Sequence, residues 1–431
     1  MTMLDPSHGT TAAPVLDREA LRRWYLRNRN RSAELFATFV PEAWLDRPIP
    51  LRHPLAFYEG HLPAFSYNKL IREALGGPSI DPELEVLFER GIDPGTTQDA
   101  ARHERERWPG RAAVQAFGTN VDRAILQAIA SAELTNGARS PMLARGEAVF
   151  TILEHEQLHH ETFAYLLQRL PAERKHGRSP SPHVEGDVPA RRRVEIAAGT
   201  ATLGTRRDAV AFGWDNEFDE RTERVGRFEI DVDDVTNADY LRFVHDGGGR
   251  PPQWIERDGS FLLRTMCEEI PLPASWPVYV SSDQARAYAA WSGSDLMTEP
   301  EFHRAAYGSP SGAERAHPWG DDAPRALHGN FDFRRYDPEP VGSSPDGTSA
   351  WGVNDLVGNG WEWTKTPFAP LPGFAPMASY PPYSADFFDG KHFVIKGASP
   401  VTARTQLRRS FRNWFYADYP FAFTTFRTVS R

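Results

Sequence analysis

The chain has 431 residues and a net charge of −9, too long for one ordinary domain and without the basic excess of a nucleic-acid binder. Hydrophobic residues make up 40% of it, enough for real cores, yet no run approaches the 18 apolar residues of a membrane span. The lone cysteine, Cys267, excludes intramolecular disulfides and cysteine-ligated metal sites and reads as a partly buried, inert thiol.

Met1 to Pro14 is polar and lacks a basic-then-apolar signal pattern, so a cytoplasmic enzyme is expected. Helical periodicity begins at Asp17 and continues to Val40, with Leu21, Trp24, Leu35, Phe36 and Phe39 facing inward. A second helix is predicted from near Pro54 to past Leu70, carrying His61. Asn120 to Leu134 places Val121, Ile125, Leu126 and Ile129 on one face. Ser140 and Pro141 suit the start of a further helix that runs to about Leu170. Four long helices within residues 1–172 predict an antiparallel bundle, an architecture that holds metal sites between facing helices.

Pro171 to Pro189 contains Pro, Ser, Gly, Lys and Arg with little apolar content, and a linker is predicted over residues 173–190. Beyond it Gly, Pro, Trp and Asn dominate. Short strands are predicted at Arg193–Ile196, Ala201–Gly204, Val225–Ile230 and Val278–Val280, with short helices at Asp283–Trp291 and Pro300–Tyr307. The expected fold is α + (α+β), a helical bundle followed by a loop-rich α+β domain over residues 191–431.

The most informative stretch is His155-Glu156-Gln157-Leu158-His159-His160-Glu161. Histidines at i and i+4 of a helix share a face, roughly 6 Å apart at Cβ, close enough to bind one metal ion. His155-Glu156-x-x-His159 also matches the zinc-peptidase pattern with Glu156 as base, a short motif that leaves the C-terminal domain without a role. Two imidazoles bind weakly, so a third ligand is expected among His53, His61 and His103. His61 is preferred, because it lies two turns inside its helix and Gly60 beside it permits close approach of another helix. Three imidazoles suit zinc or non-haem Fe(II), and ligand type alone does not choose. His160 points elsewhere, towards solvent or the domain interface.

The order His61, then His155-x-x-x-His159-x-Glu161 in a bundle resembles the DinB-like domain of the ergothioneine-type sulfoxide synthases (EgtB-like proteins, with ovothiol synthase OvoA and selenoneine synthase as relatives). The C-terminal half is similar to the formylglycine-generating-enzyme, or sulfatase-modifying-factor, domain, of C-type-lectin-like fold. The similarity rests on Val235-Thr236-Asn237-x-x-Tyr240, Leu296 to Phe302, Pro318-Trp319-Gly320, Asn354 to Trp363, Lys396 to Ser399 and Phe423-x-x-Phe426-Arg427. Formylglycine generation itself needs reactive cysteines and is not implied. In Gly358 to Trp363, Asn359 and Glu362 are expected as buried hydrogen-bond hubs and Trp361 and Trp363 as core.

The resemblance implies O2-dependent C–S bond formation at Fe(II) held by His61, His155 and His159. The substrates would be hercynine (the histidine betaine) or histidine, with a thiol or selenol donor such as cysteine or γ-glutamylcysteine. Tyr380, and next to it Tyr383, resemble the segment carrying the family's active-site tyrosine, whose neutral phenol can donate a proton. Arg412-Asn413-Trp414-Phe415 resembles the acceptor-binding stretch, with Asn413 bonding the acceptor and Trp414 facing its trimethylammonium. Glu161 is expected to orient a histidine from behind. The sequence departs from the mycobacterial pattern at Phe415 and Tyr419, where that pattern has an acid and an arginine for γ-glutamylcysteine, and at Leu158, where glutamine is common. These changes favour free cysteine or another thiol or selenol. Alternatives are a selenoneine- or ovothiol-type variant, a zinc hydrolase, or a non-catalytic binding homologue. The enzyme is expected to be a monomer or homodimer without nucleic-acid or membrane partners.

Overall fold

The computed structural model describes residues 16–50, 52–89, 108–176 and 182–431. Asp17 opens α1 (Arg18–Phe36) by accepting the Ala20 amide on its carboxylate. Helix α2 (Leu55–Ser66) follows Pro54, as expected. It then widens into a π-helix, Tyr67–Ala74, that a 3.6-residue pattern does not reveal. The short α3 (Pro82–Phe88), capped by Asp81, is also additional. Helix α4 (Arg111–Ser131) begins earlier than Asn120.

Ser140 and Pro141 do not start the last bundle helix. They open a 3-10 turn, Pro141–Gly146, and Ser140 makes no side-chain cap. The chain leaves helical geometry at Ala144 and at Arg145 (φ 58°), and α5 (Glu147–Arg169) starts after Gly146, which itself has positive φ. Helices α1, α2, α4 and α5 pack around Tyr25, Phe57, Val121, Ile125, Ile129, Leu153 and Leu166. Candidate ligand His103 lies outside the described residues.

Helix α5 is buried around nearly its whole circumference because three partners share it. Glu156, His160 and Phe163 face α1 through Ser32, Arg29 and Phe36. His155 and His159 face α2. Glu154, Gln157, Leu158, Glu161, Tyr165 and Gln168, spaced three and four apart, meet the C-terminal half.

The described parts of the predicted linker, up to His176 and from Pro182, are strapped down. His176 N–H donates to Thr38, Val184 carbonyl accepts from Trp276 Nε1, and Pro182 carbonyl accepts from Arg335. Past it, β1 (Arg193–Ile196), β4 (Phe228–Asp231), β13 (Thr428–Ser430) and β8 (Asp295–Leu296) form one antiparallel sheet in that order. A second sheet runs β11 (Asn413–Tyr416), β10 (His392–Ala398), β9 (Gly360–Pro367), β12 (Thr424–Thr425), the last parallel to its neighbour. The β2 (Gly199–Leu203) and β3 (Arg221–Val225) pair and a meander of β5 (Trp254–Arg257), β6 (Ser260–Arg264) and β7 (Glu269–Pro271) complete the strands. Val225–Ile230 is therefore not one strand: Gly226 separates β3 from β4. Val278–Val280 joins no ladder; its amides make single backbone bonds to Val235 and Thr424.

Helices α6 (Asn237–His245), α7 (Ser282–Trp291) and α8 (Glu299–Tyr307) each begin at a capping box, Thr236 with Asp239, Ser281 with Gln284 and Thr298 with Glu301. A last single turn is α9 (Pro382–Ala385). Arg427, fully buried, bonds Glu362 and Asp234 and ties the two sheets together. Asn359 accepts from the Glu339 amide and donates to its carbonyl, and Trp363 donates to Val280.

Candidate active site

Two helices set the triad, α2 with His61 and α5 with His155 and His159. Gly60 allows Phe88, at the end of α3, to lie where a Cβ would come within 2.3 Å of its ring. That approach brings Phe88 carbonyl to 2.7 Å from His61 Nδ1. A carbonyl only accepts, so Nδ1 carries the proton and Nε2 presents its lone pair. His155 lies flat on Phe65, with centroids 3.4 Å apart and planes 7° apart. The i, i+4 spacing then sets His159 one turn on, its Nε2 3.0 Å from that of His155 and 3.2 Å from that of His61.

The three rings are at most 7% exposed, and their ligand atoms lie within 4.8 Å of one another. Two nitrogens bound at right angles, about 2.1 Å from one ion, stand about 3 Å apart, which is the spacing of His159 Nε2 from each of the other two Nε2 atoms. Nδ1 of His155 and of His159 makes no hydrogen bond among the described residues, so both rings are held by packing and by their shared Nε2 side. Burial lowers the pKa of all three, His61 to about 4, against the bond to Phe88. At neutral pH they are neutral imidazoles, the protonation state that binds a metal. The donor set fits a three-histidine metal centre.

The other histidines do different work. His53, buried, stacks on Phe57 at 4.1 Å. Of the two places expected for His160, solvent or the domain interface, the structure shows the second: it is buried, 6.1 Å from the Phe333 ring of the C-terminal half, with Nε2 2.8 Å from Ser32 Oγ. Glu156 accepts from Arg29 (2.8 Å) and Ser32 (2.6 Å), so its carboxylate is engaged with α1 and turned away from the triad. The base of a zinc peptidase is thus not available at that position. Glu161 is a correction: it orients no histidine. Its carboxylate accepts from Trp361 Nε1 (2.7 Å), Ser399 Oγ (2.8 Å) and Thr402 Oγ1 (2.9 Å), all in the C-terminal half. Trp361, expected only as core, is one of those three donors.

Tyr380 borders the triad, with its ring 6.1 Å from His155 and 5.2 Å from Phe65. The preceding residue explains why. Ser379 bonds Thr151, one turn before His155, and its amide and hydroxyl both donate to Glu147. These three residues carried no signal in the sequence, because the contact joins positions more than 200 residues apart. Tyr383 lies one ring farther out, 5.8 Å from Tyr380, and stacks on Trp214 at 3.8 Å. Burial raises the pKa of both phenols, so both are neutral.

In β11, alternation sends Asn413 and Phe415 to one face and Trp414 and Tyr416 to the other. Trp414 stacks on Phe368 at 4.1 Å and meets Tyr383 at 5.3 Å, continuing the line of rings from Tyr380. Phe415 stacks on Tyr419 at 5.0 Å, and Tyr419 meets Tyr165 of α5 and accepts from Arg52. Asn413 Oδ1 accepts from the Trp414 amide. Arg412 is a second correction. It is buried, pairs with both oxygens of Glu299 and donates to Asn216 and Ala369 carbonyls, so every nitrogen of its guanidinium is committed to the fold. Arg408 was not anticipated; it bonds Glu154 of α5 and Glu217 together, a buried tie between the halves. Cys267 is half-buried with its thiol pKa raised by burial, in keeping with an inert role.

Comparison with known proteins agrees with this division. Residues 180–431 match the sulfatase-modifying factor enzyme 1-like domain and residues 25–163 match the DinB superfamily. The hercynine oxygenase of Mycolicibacterium thermoresistibile is 31% identical, over 95% of this chain and 94% of that protein. That of Mycolicibacterium smegmatis is 31% identical over 86% and 89%. Ergothioneine biosynthesis protein 1 of Neurospora crassa is 26% identical over 90% of this chain and 55% of its own length. With both halves matched in order and a relative similar along nearly its whole length, the chain belongs to the ergothioneine-type sulfoxide synthase family, in which the hercynine oxygenases fall.

Proposed function

We propose that the protein is a non-haem Fe(II)- and O2-dependent sulfoxide synthase that joins a thiol to the imidazole carbon of hercynine or histidine. The observation that carries this reading is the closure of three buried, neutral imidazoles on one point beside a neutral phenol. Fe(II) held by His61, His155 and His159 supplies the redox chemistry with O2. In the overall change the thiol sulfur bonds to the ring carbon. The S–H and C–H hydrogens leave with one oxygen atom as water, and the other oxygen stays on sulfur.

The chain's own residues supply position, dryness and a proton. Phe57 and Phe65 cover His61 and His155 and keep water from the nitrogens. Tyr380 holds its proton on the phenol oxygen near the reacting atoms and can return it without bringing charge into the site. Asn413 and Trp414 are the proposed acceptor contacts. Phe415 and Tyr419 are stacked rings that carry no charge of their own in place of the acid and arginine that contact γ-glutamylcysteine in the mycobacterial pattern, which supports free cysteine or another small thiol or selenol as donor.

Anaerobic loading with Fe(II), followed by O2 with hercynine and cysteine, tests the reading. Expected are O2 uptake that requires both organic substrates and a product whose mass is their sum plus one oxygen less two hydrogens. If no pairing of hercynine or histidine with cysteine, γ-glutamylcysteine or a selenol yields either signal, the reading is wrong.

A further inference from the structure

Lys69 lies on the π-helical continuation of α2, eight residues beyond His61. A π turn closes at i+5 rather than i+4, so Lys69 falls back towards the His61–Phe65 stripe instead of running ahead of it. Its side chain is only 15% exposed. The ammonium sits 6.0 Å from the Phe65 ring and 5.9 Å from the Tyr380 ring, the two rings that flank His155.

On its other side Lys69 pairs with Glu73, at 2.9 and 3.0 Å, and Glu73 is 38% exposed. Two arginines deep in and against the bundle are bound to buried carboxylates, Arg29 to Glu156, and Arg408 to Glu154 and Glu217. Lys69 differs, because its carboxylate partner stands at the surface, where an ion pair is weak and readily exchanged. A carboxylate entering a site walled by neutral imidazoles and aromatic rings needs a cation to offset its lost hydration.

We propose that Lys69 anchors the α-carboxylate of an amino-acid substrate at the mouth of the histidine triad, exchanging Glu73 for it when the substrate enters. The inference rests on the proposed reaction for the kind of ligand, and either the thiol donor or the histidine-derived acceptor carries such a carboxylate. Lys69 is a specificity-determining residue, and the substrate class it selects is an amino acid over the corresponding amine.

The test uses the full chain loaded anaerobically with Co(II), reading ligand affinity by absorption and calorimetry without turnover. The ligand pairs are cysteine against cysteamine and histidine against histamine. A charge-assisted hydrogen bond corresponds to about a 10- to 100-fold preference for the carboxylate-bearing partner of the pair. Lys69→Met should abolish that preference while metal content and melting temperature hold, and Glu73→Gln should tighten the acid without affecting the amine. Loss of the cysteine preference assigns the donor's carboxylate; loss of the histidine preference assigns the acceptor's. If both ratios survive in Lys69→Met, and in Lys69→Gln as a second variant, the proposal is overturned. Absence of turnover in the Fe(II) wild type fails the reaction instead and leaves these ratios readable.

Discussion

The ring of Phe65 lies parallel to that of His155, 3.4 Å between centroids and 7° between planes. Since His155 Nδ1 makes no hydrogen bond among the described residues, this stack replaces the outer hydrogen bond that ordinarily orients a metal-binding histidine. Phe65→Ala should therefore cost metal affinity although Phe65 has no donor atom. A loss of about 10-fold is expected, the lower end for residues that support ligands. Anaerobic titration with Fe(II) or Co(II) measures it, and unchanged affinity would show that the ring is only filler.

Metal should stabilise the folded chain, because the unfolded chain cannot gather His61, His155 and His159. At free Fe(II) 100-fold above its dissociation constant, the gain is about 2.7 kcal/mol. Anaerobic melts with and without Fe(II) should differ accordingly, and chelator should remove the difference. In His155→Ala the two melts should coincide.

Gly60→Ala would place a methyl 2.3 Å from the Phe88 ring. Helix α3 must then shift and draw its carbonyl from His61 Nδ1. Weaker metal binding is expected, together with a stability loss of about 1–3 kcal/mol for an overpacked core. Pairing it with Phe88→Leu should restore part of both; an additive double variant would mean that the two residues are not coupled.

Glu161→Ala separates docking from ligand support. It strips the partner from Trp361 Nε1 and from the hydroxyls of Ser399 and Thr402, all on buried residues. A loss of about 2–3 kcal/mol in urea unfolding is expected, with metal affinity nearly intact. The opposite pattern, weaker metal binding at unchanged stability, would restore the histidine-orienting role.

Tyr380→Phe should lower turnover by about 10²-fold or more if its phenol is the proton donor. Tyr383→Phe, one ring farther from His155, should stay within about 10-fold of the wild type on the same scale. Single-turnover rates in H2O and D2O check this, since the solvent isotope effect should change in the Tyr380 variant alone.

Much of the architecture was legible because it is written in local chemistry. The i, i+4 histidines, Gly60 beside His61, and the short helices after Ser281 and Thr298 each act within a turn or two of chain, whereas the helix Asn237–His245 was not anticipated. Period-3.6 patterning carries no trace of the π-helix that brings Lys69 back towards the triad. It likewise missed the break at Ala144 and Arg145, because Ser140-Pro141 opens a 3-10 turn as readily as an α-helix.

By itself the sequence determined that His155 and His159 share a face, that a bundle precedes a Gly- and Trp-rich domain, and which family motifs the chain holds. Only the tertiary structure decided what each polar group serves. Glu156 turned to Arg29 and Ser32, Glu161 to Trp361, Ser399 and Thr402, and Arg412 to Glu299, because a buried charge goes wherever donors or counter-charges meet it. Those partners arrive from distant segments, as Ser379 does when it sets Tyr380 beside His155. Spacing along a helix fixes direction, while the identity of the facing group is a property of packing.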